Sequence, residues 1–204
     1  MIMDEFKISR RNIIFVISGP SGVGKTLITR NLLEVVPDVS FSISTTTRPP
    51  RNEEVEGVDY YFVSESMFSD MLKNNQFIEH ATIYEHRYGT TKREIERIFG
   101  EKNDALLDID TQGAEQIKEK YPDSVLIFIM PPDLNTLKER IMKRERRINS
   151  EIEERLSNAR EEISKAHLYD YIVINAYLTD AIEVIRAIIE SERHSSKHML
   201  KEVK

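Results

Sequence analysis

Gly19-Pro20-Ser21-Gly22-Val23-Gly24-Lys25-Thr26 fits the pattern Gly, four residues, Gly-Lys-Thr. An apolar run, Ile13-Ile14-Phe15-Val16-Ile17, leads straight into it, and Leu27, Ile28, Leu32 and Leu33 follow at helical spacing. That is the strand–loop–helix context a phosphate-binding loop requires. The glycines let the backbone turn tightly, so that its N–H groups point inward at phosphate oxygens, and the N-terminus of the next helix adds partial positive charge at the same place. Lys25 then has the reach to meet β- and γ-phosphates, and the Thr26 hydroxyl can ligate Mg²⁺. The stretch therefore predicts a nucleoside triphosphate site at the end of a parallel strand. It does not say what is done with the triphosphate.

Outward from the loop, strands and helices alternate, which predicts an α/β fold with a mostly parallel sheet. The 204 residues suffice for one domain with insertions. Val39–Thr91 reads differently from the rest, as a small inserted lobe. Strands are predicted at Phe41–Ser44, Asp59–Val63 and Gln76–Ala81, a helix capped by Ser64 lies between the last two, and Tyr88–Thr91 reads as a turn before a helix. The core resumes with a helix over Lys92–Phe99 and a strand over Asn103–Asp110. A short helix over Ala114–Lys120 and a buried strand over Val125–Ile129 follow. Leu134–Arg147 and Glu151–His167 read as charged helices, Tyr171–Ile174 as the last strand, and Leu178–Ile189 as a helix with one apolar stripe. The polar tail from Arg193 is expected to fray.

Composition narrows the class. Net charge is −6, which does not ask for nucleic acid or an anionic membrane. There is no cysteine, so disulfides and thiolate zinc sites are excluded. Met1–Asn12 lacks a continuous apolar stretch, so a secretory signal is not expected. No apolar run approaches the ~20 residues of a membrane helix. The cytoplasm is the expected location.

Several residues are candidates for chemistry. Arg48 and Arg51, three apart and held by Pro49-Pro50, can each grip a phosphate bidentately, and the prolines cut the entropy lost on binding. They equally suit a surface turn. Glu79 is a carboxylate in an apolar strand. It fits an exposed sheet face, or a reader of guanine, whose N1–H and 2-amino group are two adjacent donors that one carboxylate accepts. Tyr60 and Tyr88 have hydroxyls suited to a phosphate oxygen or to a core. Asp108 and Asp110 end a strand where α/β sheets bind ligands, and Asp110 also suits a helix cap. Arg140, Arg144, Arg146, Arg147 and Arg155 crowd two helices. Most can pair with neighbouring glutamates, and a few can act as arginine fingers. His194 and His198 have helical i, i+4 spacing but no third zinc ligand.

Taken in order, these motifs resemble the guanylate kinase family from about Ile13 to Ile189. The matching stretches are Gly19–Thr26, Ser42–Arg51 with Glu54–Tyr60, Phe77–Ala81, Tyr88–Thr90, Leu107–Gly113 and Tyr169–Asn175. The resemblance implies a phosphate-loop kinase that phosphorylates GMP with ATP and Mg²⁺. It implies one domain over 1–204, with a core of about 12–38, 92–137 and 161–192, a GMP-binding lobe of about 39–91 and a lid of about 138–160. By resemblance, Ser44, Glu79 and Thr90 read guanine, and Arg48, Arg51, Tyr60 and Tyr88 hold the GMP phosphate. Glu54, Asp110 and Asp108 complete that site. The loop residues Gly19, Pro20, Ser21, Gly22, Val23, Gly24, Lys25 and Thr26 hold ATP, Asn175 lies near the adenosine side, and Arg140, Arg144 and Arg155 match arginines that contact phosphate. ATP and GMP are the implied partners, with oligomeric state left open. Two departures stand out. Glu53 occupies a position where the family has glycine, and Glu145-Arg146-Arg147 replaces a glycine-containing lid segment. The alternatives are a related small-molecule kinase with another phosphorylated acceptor, or a non-catalytic binding module of the same fold. Glu79 and Ser44 discriminate the first, and the intact Lys25-Thr26 argues against the second.

Overall fold

The computed structural model describes residues 6–83, 85–144 and 149–203. Its elements are β1 (Phe6–Arg10), β2 (Ile14–Ser18), α1 (Lys25–Val35), β3 (Val39–Phe41), β4 (Thr45–Thr46) and β5 (Tyr61–Phe62). Then come α2 (Glu65–Lys73), β6 (Phe77–Ile83), β7 (His86–Thr91), α3 (Lys92–Gly100), β8 (Asp104–Asp108) and α4 (Thr111–Lys120). The chain ends with β9 (Val125–Met130), α5 (Leu134–Arg144), α6 (Asn149–Ser164), β10 (Tyr171–Ile174), α7 (Leu178–Arg193) and β11 (Met199–Val203).

Five parallel strands in the order β10-β9-β2-β8-β3 form the main sheet. β2 sits at its centre and is buried along its whole length. Alternation along a strand sends successive side chains to opposite faces. Phe15 and Ile17 join a cluster with Ile28 and Leu32 of α1 and Ile185 and Ile189 of α7. Ile14 and Val16 join the opposite cluster, with Ile95 and Ile98 of α3 and Ala114 and Ile117 of α4. A strand apolar on both faces is what a helix-covered parallel sheet demands. The strand order reverses beside β2, so the crevice outside the carboxyl ends of β2, β8 and β10 is where a ligand fits this fold.

A second sheet, β5-β4-β7-β6, is mostly antiparallel. The helix α2 covers it, with fully buried Phe68 stacked on Phe77 at 4.5 Å. Ser64 caps α2 by accepting from the Met67 amide, as its position predicts.

Local pattern misjudged four places. The strand expected at Phe41–Ser44 divides: Val39–Phe41 pairs with β8 in the main sheet, and Thr45–Thr46 joins the small one. Tyr88–Thr91 is strand rather than turn, although Thr91 does cap α3 by accepting from the Glu94 amide. The tail does not fray. Met199–Val203 pairs antiparallel with Phe6–Arg10, and Arg193 is buried. Its guanidinium Nε donates to Asp104 Oδ2 at 2.9 Å, and Nη2 donates to the Pro37 and Asp38 carbonyls. Arg10 pairs with the other Asp104 oxygen, so the buried carboxylate joins β1 and the end of α7 to the start of β8. The second charged helix is already formed at Asn149 and ends at Ser164, with a 3-10 turn over Ala166–Leu168 after it, while residues 145–147 of the first expected helix lie outside the described residues.

Candidate active site

A cleft of about 980 Å³ runs between the carboxyl edge of the main sheet, the small sheet and α6. Its first wall is the loop between β2 and α1. Gly24 stands at the N-terminal end of α1 with φ +103°, and a β-carbon there would lie 2.8 Å from Asn175 Nδ2. Glycine therefore both permits the backbone and admits the contact. Gly24 offers no capping side chain, and no acidic residue occupies the first turn. The first amides of α1 thus lack side-chain acceptors, and such a terminus attracts an anion. The Lys25 ammonium donates to the Gly19 carbonyl at 2.6 Å and to the Pro20 carbonyl at 3.4 Å. Thr26 is exposed at the same mouth.

Asn175 and Arg140 brace this loop. Asn175 is buried, and its Nδ2 donates to the Val23 carbonyl at 2.8 Å. Arg140 donates to the carbonyls of Val23 at 3.3 Å and Asn175 at 3.0 Å. Both line the cleft, but the bonds they make go to backbone. Sequence reading assigned them to nucleotide; the structure adds a scaffolding task, which no single-sequence pattern signals.

The floor carries Asp108 and Asp110 at the end of β8. Asp110 Oδ1 accepts from the Gly113 amide at 2.9 Å, so this residue does cap α4 while facing the cleft. Burial raises its carboxyl, with nearby Lys25 opposing.

The far wall is the small sheet, with Ser44, Tyr60, Glu79 and Tyr88. Glu79 does not lie on an exposed face: it is 2% accessible. Its Oε1 accepts from the Thr90 amide at 2.7 Å, which places Thr90 beside it. Desolvation pushes its carboxyl up to about 7, partly offset by the Thr90 hydrogen bonds. A carboxylate held dry beside a polar cleft is set to accept donors from a ligand, since a ligand would then repay the desolvation.

Arg48, Glu54, Tyr60 and Tyr88 come together next to that wall. Arg48 Nη2 donates to Glu54 Oε1 at 2.7 Å, and its guanidinium lies 5.3 Å from the Tyr60 ring centre. Tyr60 and Tyr88 meet edge to face at 6.0 Å. Glu54 Oε2 also accepts from the Arg51 amide, closing the Pro-Pro-Arg turn. Arg51 itself is exposed, and Arg48, Arg51, Glu54, Thr90 and Pro20 are not among the residues that line the cleft. The backbone at Glu53 is not left-handed, so glutamate fits there without strain.

Across from the loop, α6 presents Arg155, Asn158, Ala159 and Glu162, at i, i+3, i+4 and i+7 on one helix face. Lys165 follows, paired with Glu115 at 3.1 Å. Burial raises the Glu162 carboxyl against the pull of Lys25. Of these, sequence reading picked only Arg155. The helical spacing was visible, but seven charged residues from Glu151 to Glu162 concealed which face mattered. The Arg144 side chain and residues Glu145, Arg146 and Arg147 lie outside the described residues.

Comparison with known proteins follows the same outline. The guanylate kinase family profile matches residues 10–192. A guanylate kinase of Coxiella burnetii is 45% identical over 88% of this chain and 87% of its own. One from Caldanaerobacter subterraneus subsp. tengcongensis is 45% identical over 91% and 90%. The crystal structure of guanylate kinase from Anaplasma phagocytophilum superposes with a TM-score of 0.78 at 32% identity, covering 95% of this chain and 92% of that one.

Proposed function

Since the chain belongs to the guanylate kinase family, we infer what each side chain of the cleft does in the reaction of that family. The activity is ATP-dependent phosphorylation of GMP to GDP. A GMP phosphate oxygen attacks the γ-phosphorus in line; the new O–P bond forms as the bond to the β–γ bridging oxygen breaks, and ADP leaves. A monophosphate oxygen is already anionic near neutral pH, so no protein base is required. Catalysis is then positioning and charge neutralisation.

In this reading the uncapped first turn of α1 and the amides of Gly19–Gly24 receive the ATP phosphates. Lys25 exchanges the carbonyls of Gly19 and Pro20 for phosphate oxygens. Arg155 adds positive charge from α6. Arg140 and Asn175 hold the loop in shape. Arg48 and Arg51, with the Tyr60 and Tyr88 hydroxyls, hold the GMP phosphate; Glu54 keeps Arg48 in plane, and Asp108 and Asp110 border the sugar and phosphate. Glu79, with Ser44 and Thr90, accepts N1–H and the 2-amino group of guanine. Adenine has no N1–H and leaves that carboxylate unpaired. Residues 42–91 would form the GMP lobe and 138–160 the lid, and their closure excludes water that would waste ATP.

The donor set suits Mg²⁺. Among the described residues no group of three or more His, Cys, Asp or Glu gathers into a cage. Mg²⁺ commonly takes few protein ligands and completes its shell with phosphates and water. Thr26 would ligate it, with Asp108 or Asp110 reaching through water, and the bound ion would offset charge on the phosphates. Among the described residues no helix is long and apolar enough to cross a membrane, and a cytoplasmic location fits an enzyme of soluble nucleotides.

The single observation that carries this assignment of sites is the buried Glu79 carboxylate on the wall of the cleft that begins at the phosphate loop. The test is ADP release with Mg·ATP and GMP, dGMP, AMP, UMP or CMP. Turnover confined to GMP and dGMP is expected. Comparable turnover with AMP would overturn guanine selection at Glu79.

A further inference from the structure

Glu79 lies on β6, an edge strand of the small sheet. The outward backbone groups of an edge strand need partners or water. Here α4 supplies them. Gln116 accepts from the His80 amide at 3.1 Å and donates to the His80 carbonyl at 2.7 Å, so one side chain mimics a neighbouring strand. Lys120 donates to the Ile78 carbonyl at 2.6 Å. The two bonded residues flank Glu79 on both sides. Gly113 completes the same helix face, at i, i+3 and i+7 with Gln116 and Lys120. A β-carbon on Gly113 would lie 2.5 Å from Glu79 Oε2, 3.2 Å from Glu79 Cδ and 3.2 Å from Ile109 Cδ1. The carboxylate therefore rests against the bare helix backbone.

β6 and β7 also slip register at this point. Phe77 pairs with Thr91 and Glu79 with Thr90, leaving Ile78 as the extra residue. A bulge re-aims the side chains beside it, and this one is pinned from outside by Lys120. The helix that does the pinning begins at Asp110, on the cleft floor. One rigid element thus runs from the floor to the residue that faces the acceptor's base.

We propose that the Gly113–Gln116–Lys120 face of α4 positions the Glu79 carboxylate and is a determinant of selectivity for the acceptor base. This rests on Glu79 as the guanine reader. The contacts act from two directions: Gln116 and Lys120 fix the strand, and Gly113 leaves room for the carboxylate at one depth only. Alanine at 113 would favour the helix by its own propensity, so its effect falls on Glu79 rather than on folding.

The experiment compares GMP with IMP, which keeps N1–H and lacks the 2-amino group, in the full-length chain with Mg·ATP. Gly113→Ala should raise the KM for GMP about tenfold or more, the scale of one charge-assisted hydrogen bond. It should shrink the GMP:IMP ratio of kcat/KM and leave the KM for ATP within about twofold. Gln116→Ala, which inserts nothing into the site, should shift the same ratio in the same direction. Glu79→Asp should be harmful alone but should recover GMP selectivity in the Gly113→Ala background, because the shorter side chain retreats from the added methyl. A merely structural role for Gly113 would not produce that rescue. If Gly113→Ala and Gln116→Ala leave the ratio unchanged while Glu79→Gln raises the GMP KM, the positioning role is overturned and the base reader stands. If Glu79→Gln also changes nothing, the reading beneath it falls as well.

Discussion

Replacing Glu79 by glutamine should make the free protein more stable, by an amount that grows with pH. A carboxyl that ordinarily titrates near 4.5 and is pushed up to about 7 costs the fold about 3 kcal/mol in its ionised form. The cause is desolvation of a side chain that is 2% accessible, reinforced by the Asp110 charge and opposed by the Thr90 hydrogen bonds and Lys120. Between these two pH values the folded chain keeps a proton that the unfolded chain has released. Stability attributable to Glu79 therefore falls as pH rises through that window, and above about 7 the whole deficit is present. Glutamine is neutral throughout and its carbonyl can still accept from the Thr90 amide. Its packing differs, but that offset does not vary with pH.

Urea unfolding of both proteins at several pH values reads the quantity directly, with unchanged m-values as the check that the unfolded state is the same. From about pH 5 to 8, the stability of Glu79→Gln relative to wild type should climb by about 2–3 kcal/mol. At 204 residues that is a relative gain in Tm of about 5–10 °C. GMP should narrow or reverse the order, because it stabilises only the protein that binds it well. A stability difference that is flat across this range would refute the argument that Glu79 is held dry and unpaired by any cation. It would mean that water or a counter-charge already serves the carboxylate. A group that weakens the fold until substrate arrives is a common cost of a binding site.

Three other outcomes are expected. Lys25→Ala should lower kcat by at least about a thousandfold, since it removes the loop's charge from the transferring phosphoryl group, while circular dichroism and Tm stay near wild type; substantial residual activity would refute the assignment. The KM for GMP should fall as pH rises from 5.5 to about 7, by up to about tenfold per pH unit, because only the ionised Glu79 accepts both guanine donors; Glu79→Gln should retain only the part due to the GMP phosphate, whose own pKa is near 6. Asp104→Ala should destabilise by about 3–5 kcal/mol, because it strands the Arg193 guanidinium in the interior and frees Arg10 and the Ile13 amide; a loss under about 1 kcal/mol in a denaturant titration would show that water replaces the carboxylate.

What could be read from the chain, and what could not, divides by distance. The strand–loop–helix around Gly19–Thr26 was legible because its pattern is local: the positive-φ glycines, Lys25 and Thr26 stand directly between β2 and the first turn of α1. The caps at Ser64 and Asp110 were legible for the same reason, since each bonds an amide three residues on. Asp104, Arg10 and Arg193 were not, because that buried pairing joins residues separated by 94 and 89 positions. To a pattern of local polarity Arg193 is only the start of a charged tail. Glu79 lies between these cases. Its oddness in an apolar strand was visible, but its burial depends on a helix 32 to 41 positions away whose side chains stand in for a missing strand. The face of α6 shows the remaining limit. Periodicity marks a stripe by contrast between apolar and polar, and on this helix it marks only Ile152, Leu156 and Ala159, which pack into the core, while the cleft side is as polar as the solvent side. A polar cleft erases the contrast that would have disclosed it, which is why charged helices beside active sites are the least readable part of such a chain.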